Sequence, residues 1–566
     1  MNSKLQFRVL YRQFLFRLMD VEMLSASAGG DASGLLGQFG ALLIFGSVIL
    51  SLGAITVGQH VRETGMAAPV WQTERFLLSL NMLVVGVFAL LSWDSTFPDR
   101  RDVLVLTPLP IRGRNLFTAK VAAAASALGL VVAAWNSLGG FAWPMVLAPA
   151  ETGMVGTLRF VAAFWATLVA ASTFLYCAVV GVQGCAAQLP RRWYLRASSV
   201  LQIAVFVLFL GVFCFQPSVN TARELAAPEN QLAMAWLPSY WFMGLLNQLS
   251  GVFPEGHAAM AILAYRAVAG LAIAILVAGT AFLLSYLRTL RKIVEEPDIF
   301  PSARGSMWLP RFGSLPQTAL AQFVIRSLLR SRQHRAILAL YLGGGLAIVA
   351  VYLEGTRETL HLSWVETFQR VSFPMLVSSV VMLCASWLGT RTVFSLPLDM
   401  RANWLFRVIP VSGSAATLTA VRRALLALSV LPVVAASAAL LLWSWPWTAV
   451  AEHLLVLGLV GSVLADVSLR GFRKIPFTCS YLPGKSKAHL VFWFGIIPVV
   501  ILIHKGAIEE QRAMASPLSF LAMALALGAA AFAARGVTDR RAKESGPEIQ
   551  FEESASDELI GLGLNR

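Results

Sequence analysis

Residues 76–93 read FLLSLNMLVVGVFALLSW, and just beyond them residues 99–113 read DRRDVLVLTPLPIRG. The first string carries no charge. At about 1.5 Å of rise per helical residue it reaches across most of an apolar layer about 30 Å thick. The second string is a basic loop. Its pattern, Asp99-x-Arg101-x8-Pro110-x-x-Gly113, recurs as Asp399-x-Arg401-x8-Pro410-x-x-Gly413, with no gap in either copy. Leu109 and Ile409 precede the paired prolines, and Ile111 and Val411 follow them. Proline fixes φ and ends a helix, and glycine accepts a tight turn before the next one. Asp and Arg two positions apart can tether the loop to itself or to a partner. The repeat is either an ordinary turn whose charges set topology or a docking loop used twice.

Composition carries the same reading over the whole chain. Of 566 residues, 57% are hydrophobic and 13% are charged, against about 25% charged in a soluble protein. Mean hydropathy is +0.69. The apolar residues come in runs of the length that spans a bilayer, not in the alternating ten-residue strings of a membrane barrel. The fold class is therefore all-α and polytopic. The first thirty residues spread Lys4, Arg8, Arg12 and Arg17 without a continuous apolar core, so they do not read as a secretory signal.

Twelve spans are expected, near 36–58, 76–93, 115–136, 158–184, 197–216, 264–287, 336–353, 371–390, 415–443, 450–469, 489–504 and 517–535. With a cytoplasmic N-terminus, most of the 45 Lys and Arg residues fall on the cytoplasmic side, as the positive-inside rule requires. The net charge of +15 is then explained by topology and contact with anionic lipid; nucleic-acid binding is not needed.

The expected organisation is a first six-span half (1–287), a proline-bearing cytoplasmic linker (288–320), a second, degenerate six-span half (321–535) and a disordered tail (536–566). Each half opens on a basic amphipathic stretch. Arg8, Arg12 and Arg17 punctuate the first, and Arg326 and Arg330 the second. Such a stretch suits a helix lying in the headgroup region, or a cytoplasmic extension of the first span. Between the fifth and sixth spans, Pro217–His257 contains Trp236, Pro238, Tyr240 and Trp241. It reads as one or two helices dipping partway into the outer leaflet, anchored by aromatic rings. The matching stretch of the second half, 505–516, is short, so the halves are unequal.

Little in the chain points to catalysis. The five cysteines and seven histidines show no metal-ligand spacing and no disulfide framework, so no metal or cofactor is expected. Gly484-Lys485-Ser486 ends like a P-loop, but Cys479 stands where the first glycine is required and a span follows. Among polar residues in spans, Asn81, Asn136, Gln183 and Gln202 are candidates for function. Arg159, Arg266 and Asp466 lie near span ends, where snorkelling accounts for them.

The basic amphipathic start, the loop Asp99-Arg100-Arg101-Asp102-Val103-Leu104-Val105-Leu106-Thr107-Pro108-Leu109-Pro110, Lys120 entering the third span, and the aromatic hairpin before the sixth span together resemble the type-2 ABC exporter permeases. The second half matches more loosely. The resemblance implies a bacterial inner-membrane protein with both termini cytoplasmic, two fused permease units, and no ATPase activity of its own. It implies a separate cytoplasmic ATP-binding-cassette ATPase as partner, with membrane lipids and a possible further transporter subunit. The amphipathic helices and the loops at 99–113 and 399–413 would meet that ATPase, and the cargo would be a lipid, a glycan or another amphiphile. Two other readings stay open: an ion-coupled twelve-span transporter, and a non-transporting scaffold or intramembrane enzyme.

Overall fold

The structure is a computed structural model. It describes residues 3–19, 32–64, 70–97, 113–149, 153–214, 216, 221–251, 257–295, 313–360, 371–396, 406, 414–470, 475–478 and 502–544. All regular structure in these residues is helical. A bilayer offers no hydrogen bonds to a backbone, and a helix satisfies its own. The chain divides into two compact units, Met1–Pro301 and Ser302–Arg566, and the boundary falls inside the expected linker.

Unit 1 comprises α1 (Ser3–Met19), α2 (Ala32–Thr64), α3 (Val70–Leu91) with a single helical turn Trp93–Thr96 after it, α4 (Gly113–Trp135), α5 (Gly139–Leu147), α6 (Gly153–Ala186), α7 (Arg191–Cys214), α8 (Ala222–Ala226), α9 (Pro228–Trp236), α10 (Pro238–Ser250) and α11 (His257–Glu295). The long α6 is its axis, with α3, α10 and α11 packed around it. Phe160, Phe164 and Leu168 of α6 meet Leu78 of α3, Phe242 and Met243 of α10, and Leu263 of α11 in one buried cluster. Lipid is as apolar as leucine, so helices in a bilayer associate through close packing and polar contacts. Gly184 provides such a close approach: a Cβ there would lie 2.6 Å from the Cβ of Ala281.

Unit 2 comprises α12 (Leu315–Arg330), α13 (Arg332–Leu360), α14 (Phe373–Phe394), α15 (Ser414–Leu425), α16 (Leu431–Leu441), α17 (Trp447–Ser468), α18 (502–513) and α19 (Pro517–Glu544). Its main seams are α13 on α14 and α17 on α19. A wide π turn, Leu426–Val430, joins α15 to α16. Pro432 supplies its cause, because it has no N–H to give the carbonyl four residues earlier. The Ser386 hydroxyl of α14 donates to the Ser429 carbonyl in this turn at 2.9 Å.

Eight helical stretches among the described residues are long and apolar enough to cross a membrane: Val70–Leu91, Arg114–Trp135, Gly153–Ala186, Ala258–Leu284, Phe373–Phe394, Ala416–Leu441, Trp447–Ser468 and Pro517–Glu544. They match eight of the twelve expected spans. At three more positions a helix is present, but its apolar part is shorter: Leu43–Gln59, Val200–Phe213 and Ile337–Leu346. The expected span at 489–504 lies mostly outside the described residues. The described residues are thus those of an all-helical, multi-pass membrane protein. Its surface agrees, since Leu518, Leu521, Leu525 and Phe532 of α19 are exposed, which suits lipid and would be an aggregation patch in water. Trp443 and Trp447 project from the turn between α16 and α17, 94% and 75% exposed, in the manner of interfacial aromatics.

Two expectations change in detail. The aromatic stretch forms three short helices, α8 to α10, where one or two were expected. Its counterpart in unit 2, 505–516, falls mainly within α18. The stretch expected to be disordered from 536 begins as helix, because α19 continues to Glu544. The remainder of that tail lies outside the described residues.

Candidate functional site

Two kinds of surface bear on function: the basic amphipathic helices with the loops beside them, and polar clusters enclosed within each unit.

α1 lies along α4. Leu10, Phe14 and Leu18 are its buried stripe, while Arg8 and Arg12 are exposed and Arg17 is half-buried. The Tyr11 hydroxyl donates to Ser126 Oγ at 3.0 Å, and the Lys120 ammonium lies 5.5 Å from the centre of the Phe14 ring. Lys4, Phe7, Arg8, Tyr11 and Asn115 line a recess at this contact. Gly113, the last residue of the first loop copy, is the first residue of α4. Asp99, Arg101 and Pro110 lie outside the described residues.

Unit 2 repeats the arrangement. α12 lies on α15, burying Leu320, Ala321, Val324 and Leu328; Arg326 is half-buried and Arg330 exposed. α15 begins at Ser414, directly after the second loop copy. Asp399, Arg401, Pro410 and Gly413 lie outside the described residues, but Phe406, within that copy, is described. Its ring meets Phe323 of α12 edge-on, 5.1 Å between centres. At the α12–α13 junction, His334 Nδ1 pairs with Ser331 Oγ at 2.6 Å, and Nε2 with the Leu396 carbonyl at 3.2 Å. Burial lowers the pKa of this imidazole, and the Leu396 carbonyl acts in the opposite sense.

The end of α3, from which the first loop leaves, is held by amides of other helices. Gln202 of α7 donates to the Leu90 carbonyl at 2.8 Å, and Gln183 of α6 to the Trp93 carbonyl. Leu90 lies in the last turn of α3, where carbonyls lack a partner within the helix, so Gln202 acts as a cap, while Gln183 holds the single helical turn Trp93–Thr96 that follows. The other two form a chain: Asn136 Nδ2 donates to Asn81 Oδ1 and Asn81 Nδ2 to Ser172 Oγ, each at 2.9 Å.

At the opposite end of α3 lies a cluster that sequence reasoning missed. Glu74 has no exposed surface and Arg75 only 8%. Arg75 Nη1 donates to Gln216 Oε1 at 2.9 Å, and its guanidinium sits 5.9 Å from the Tyr240 ring centre. Gln216 also accepts from Ser239 Oγ at 2.8 Å and donates to Ser79 Oγ at 2.7 Å. Asn247 Nδ2 of α10 donates to Glu74 Oε2 at 3.0 Å. Glu74 Oε1, Arg75 Nε and Asn247 Oδ1 are enclosed without a partner.

The hairpin residues thus divide. Tyr240 is fully buried in this cluster, so it is not the interfacial anchor that was expected; Trp236 is 74% exposed. Pro238 opens α10, where its missing N–H costs nothing. Trp241 Nε1 donates to the Met234 carbonyl at 3.0 Å and folds α10 back on α9.

Unit 2 has two enclosed clusters. In the first, Ser379 Oγ of α14 lies 2.7 Å from His453 Nε2 of α17, and His453 Nδ1 lies 2.6 Å from Glu510 Oε1 of α18. The order hydroxyl, imidazole, carboxylate is that of serine hydrolases. Two features weigh against catalysis. Ser379 lies past the first turn of α14, where backbone N–H groups are committed to the helix and cannot hold an oxyanion. Its hydroxyl also lies 2.9 Å from the Leu376 carbonyl. The arrangement ties three helices together. In the second cluster, Arg422 Nε bonds Asp466 Oδ1 at 2.6 Å and Nη2 bonds Asp539 Oδ1 at 2.7 Å. Asp466 is 4% exposed, so it does not snorkel as expected; its charge is answered inside the unit. Arg159 and Arg266 contact backbone carbonyls, of Leu249 and Met234.

No group of three or more metal-ligating side chains occurs among the described residues. Cys185 is exposed, while Cys177 and Cys384 are half-buried, so not every cysteine is the small buried hydrophobe expected.

No family model, curated protein or solved structure matches this chain.

Proposed function

We propose that this chain is the membrane-spanning permease subunit of an ATP-binding-cassette exporter, moving a lipid, glycan or other amphiphile with energy from a separate ATPase. The observation that carries the reading is the repeated pairing of an amphipathic helix with the helix entered from a repeated loop. α1 lies on α4, which starts at Gly113, and α12 lies on α15, which starts after Gly413. The Phe323–Phe406 contact joins the second loop to its amphipathic helix. A loop so attached can pass force to the bundle, where a free loop would absorb it. In this reading the chain is two six-span halves on a twelve-span plan, with loops and termini on the cytoplasmic side of a bacterial inner membrane. Asp99, Arg101, Asp399 and Arg401 contact the ATPase, and lipid headgroups meet Arg8, Arg12, Arg17, Arg326 and Arg330.

The test is purification from native membranes at low detergent. The expected result is a co-purifying nucleotide-binding subunit and vanadate-sensitive ATP hydrolysis, both lost on Arg401→Glu or Phe406→Asp. Transport by the purified chain alone, driven by an ion gradient, would overturn the proposal. The enclosed Glu74 carboxyl favours that second reading, an ion-coupled transporter, because buried acids in membrane bundles commonly mark ion paths.

A further inference from the structure

Two enclosed acceptor oxygens in unit 1 have no donor, and they belong to one pair of groups. Asn247 Nδ2 donates to Glu74 Oε2 at 3.0 Å, and also to the Met243 carbonyl at 3.0 Å. The second bond assigns the amide with its nitrogen on that side. What remains is the other oxygen of the carboxyl and the oxygen of the amide, Glu74 Oε1 and Asn247 Oδ1. An ionised carboxylate can only accept, so it serves neither.

The adjacent Arg75 does not solve this. Neighbouring side chains diverge by about 100° around a helix, and Arg75 is directed to Gln216 and Tyr240. Other groups facing this end of α3 are Tyr240 of α10 and Arg159 of α6, whose Nε donates to the Leu249 carbonyl at 3.0 Å. On the remaining elements packed against α3, Tyr176 of α6 stacks on Phe88 and Lys120 of α4 lies over Phe14, both away from Glu74. The described side chains of α7 and of the turn Trp93–Thr96 include no titratable group.

We propose that Glu74 is a proton-binding site whose acid form is completed by Asn247. One proton on Oε1 donates to Asn247 Oδ1 and serves both orphan oxygens at once. Carboxylic acid and primary amide then form a ring of two hydrogen bonds, N–H to oxygen one way and O–H to oxygen the other. That proton fastens α10 to α3. Its departure leaves a bare carboxylate against an amide oxygen with no exposed surface, so α10 must lift to admit water or a cation. The inference does not depend on which energy source drives transport.

Infrared difference spectroscopy of the full chain in lipid nanodiscs tests it. At neutral pH the wild type is expected to show a carboxylic-acid C=O band that shifts in deuterated water. The band should vanish in Glu74→Gln and move to the position of a free acid in Asn247→Leu. Glu74→Gln keeps both bonds of the ring as an amide pair, so its thermal stability should stay flat as pH rises, while that of the wild type falls. Should Glu74→Gln not fold, the Asn247→Leu shift decides. Absence of the band at neutral pH, a band indifferent to both variants, or stabilisation of the wild type by added sodium or potassium chloride at constant pH would each overturn the proposal. The last result would show that a metal cation, not a proton, serves the two oxygens.

Discussion

The enclosed clusters of the two units meet the same requirement in opposite ways. In the two clusters of unit 2 each buried ionisable group meets one from another helix: Arg422 meets Asp466, and His453 meets Glu510. In unit 1 a glutamate and an arginine stand side by side in sequence, yet each is served by amides, and three of the cluster's polar atoms are left unserved. Burying an unpaired polar group costs about 1–3 kcal/mol and a charge more, so the Glu74–Arg75 cluster of unit 1 holds an unfavourable arrangement that the two enclosed clusters of unit 2 avoid. The comparison teaches that adjacency in sequence is no measure of pairing inside a helix. Pairing needs a second helix at the right height, and unit 2 provides one where unit 1 provides Asn247 and Gln216.

The sharpest way to break the comparison is at Arg422. Arg422→Ala should destabilise unit 2 by about 3–5 kcal/mol, because Asp466 is left buried and alone. The double replacement Arg422→Met with Asp466→Leu should recover most of that loss. Denaturant unfolding in mixed micelles measures both, and an additive loss in the double variant would show that the pair is not coupled. His453→Leu comes next. It should cost about 2–3 kcal/mol by stranding the Glu510 carboxyl, since the Ser379 hydroxyl keeps the Leu376 carbonyl, with Glu510→Gln milder because it keeps a hydrogen bond to the imidazole. Gly184→Leu tests packing without charge and should cost about 1–3 kcal/mol, read as a lower thermal midpoint, since the added side chain has no space against Ala281. The smallest effect belongs to Asn136→Leu in the neutral chain of unit 1. Interhelical hydrogen bonds in bilayers average about 0.6 kcal/mol, so a loss above about 2 kcal/mol would mean that this chain carries more than helix adhesion.

The sequence made legible whatever depends on runs. Uninterrupted apolar strings announced the eight spanning helices, and alternating arginine and apolar residues announced α1 and α12. Gly113 was legible as the turn into a helix because Pro108 and Pro110 stand just before it. What stayed hidden depends on which helix lies beside which. Glu74 and Arg75 fall just before the apolar string at 76 and outside the expected span; only the return of α10 over that end encloses them. Asp466 looked like a span-end charge until Arg422, 44 positions earlier, proved to be its partner. His453 and Glu510 are single letters in separate segments, and no spacing rule joins them. Gln183 and Gln202 were visible as polar residues in apolar surroundings, but their work in holding the end of α3 and the turn after it was not.

The π turn at Leu426–Val430 also changes the arithmetic of its helix. It holds one residue more than an α-helical ladder would, so everything beyond it is out of phase by about 100°. A helical wheel drawn straight through 414–441 therefore assigns one of its two segments to the wrong side. Cysteine-scanning accessibility along this stretch should show two separate phases with the slip at Val430. Any account of which side chains face a transport path here must count the two segments apart.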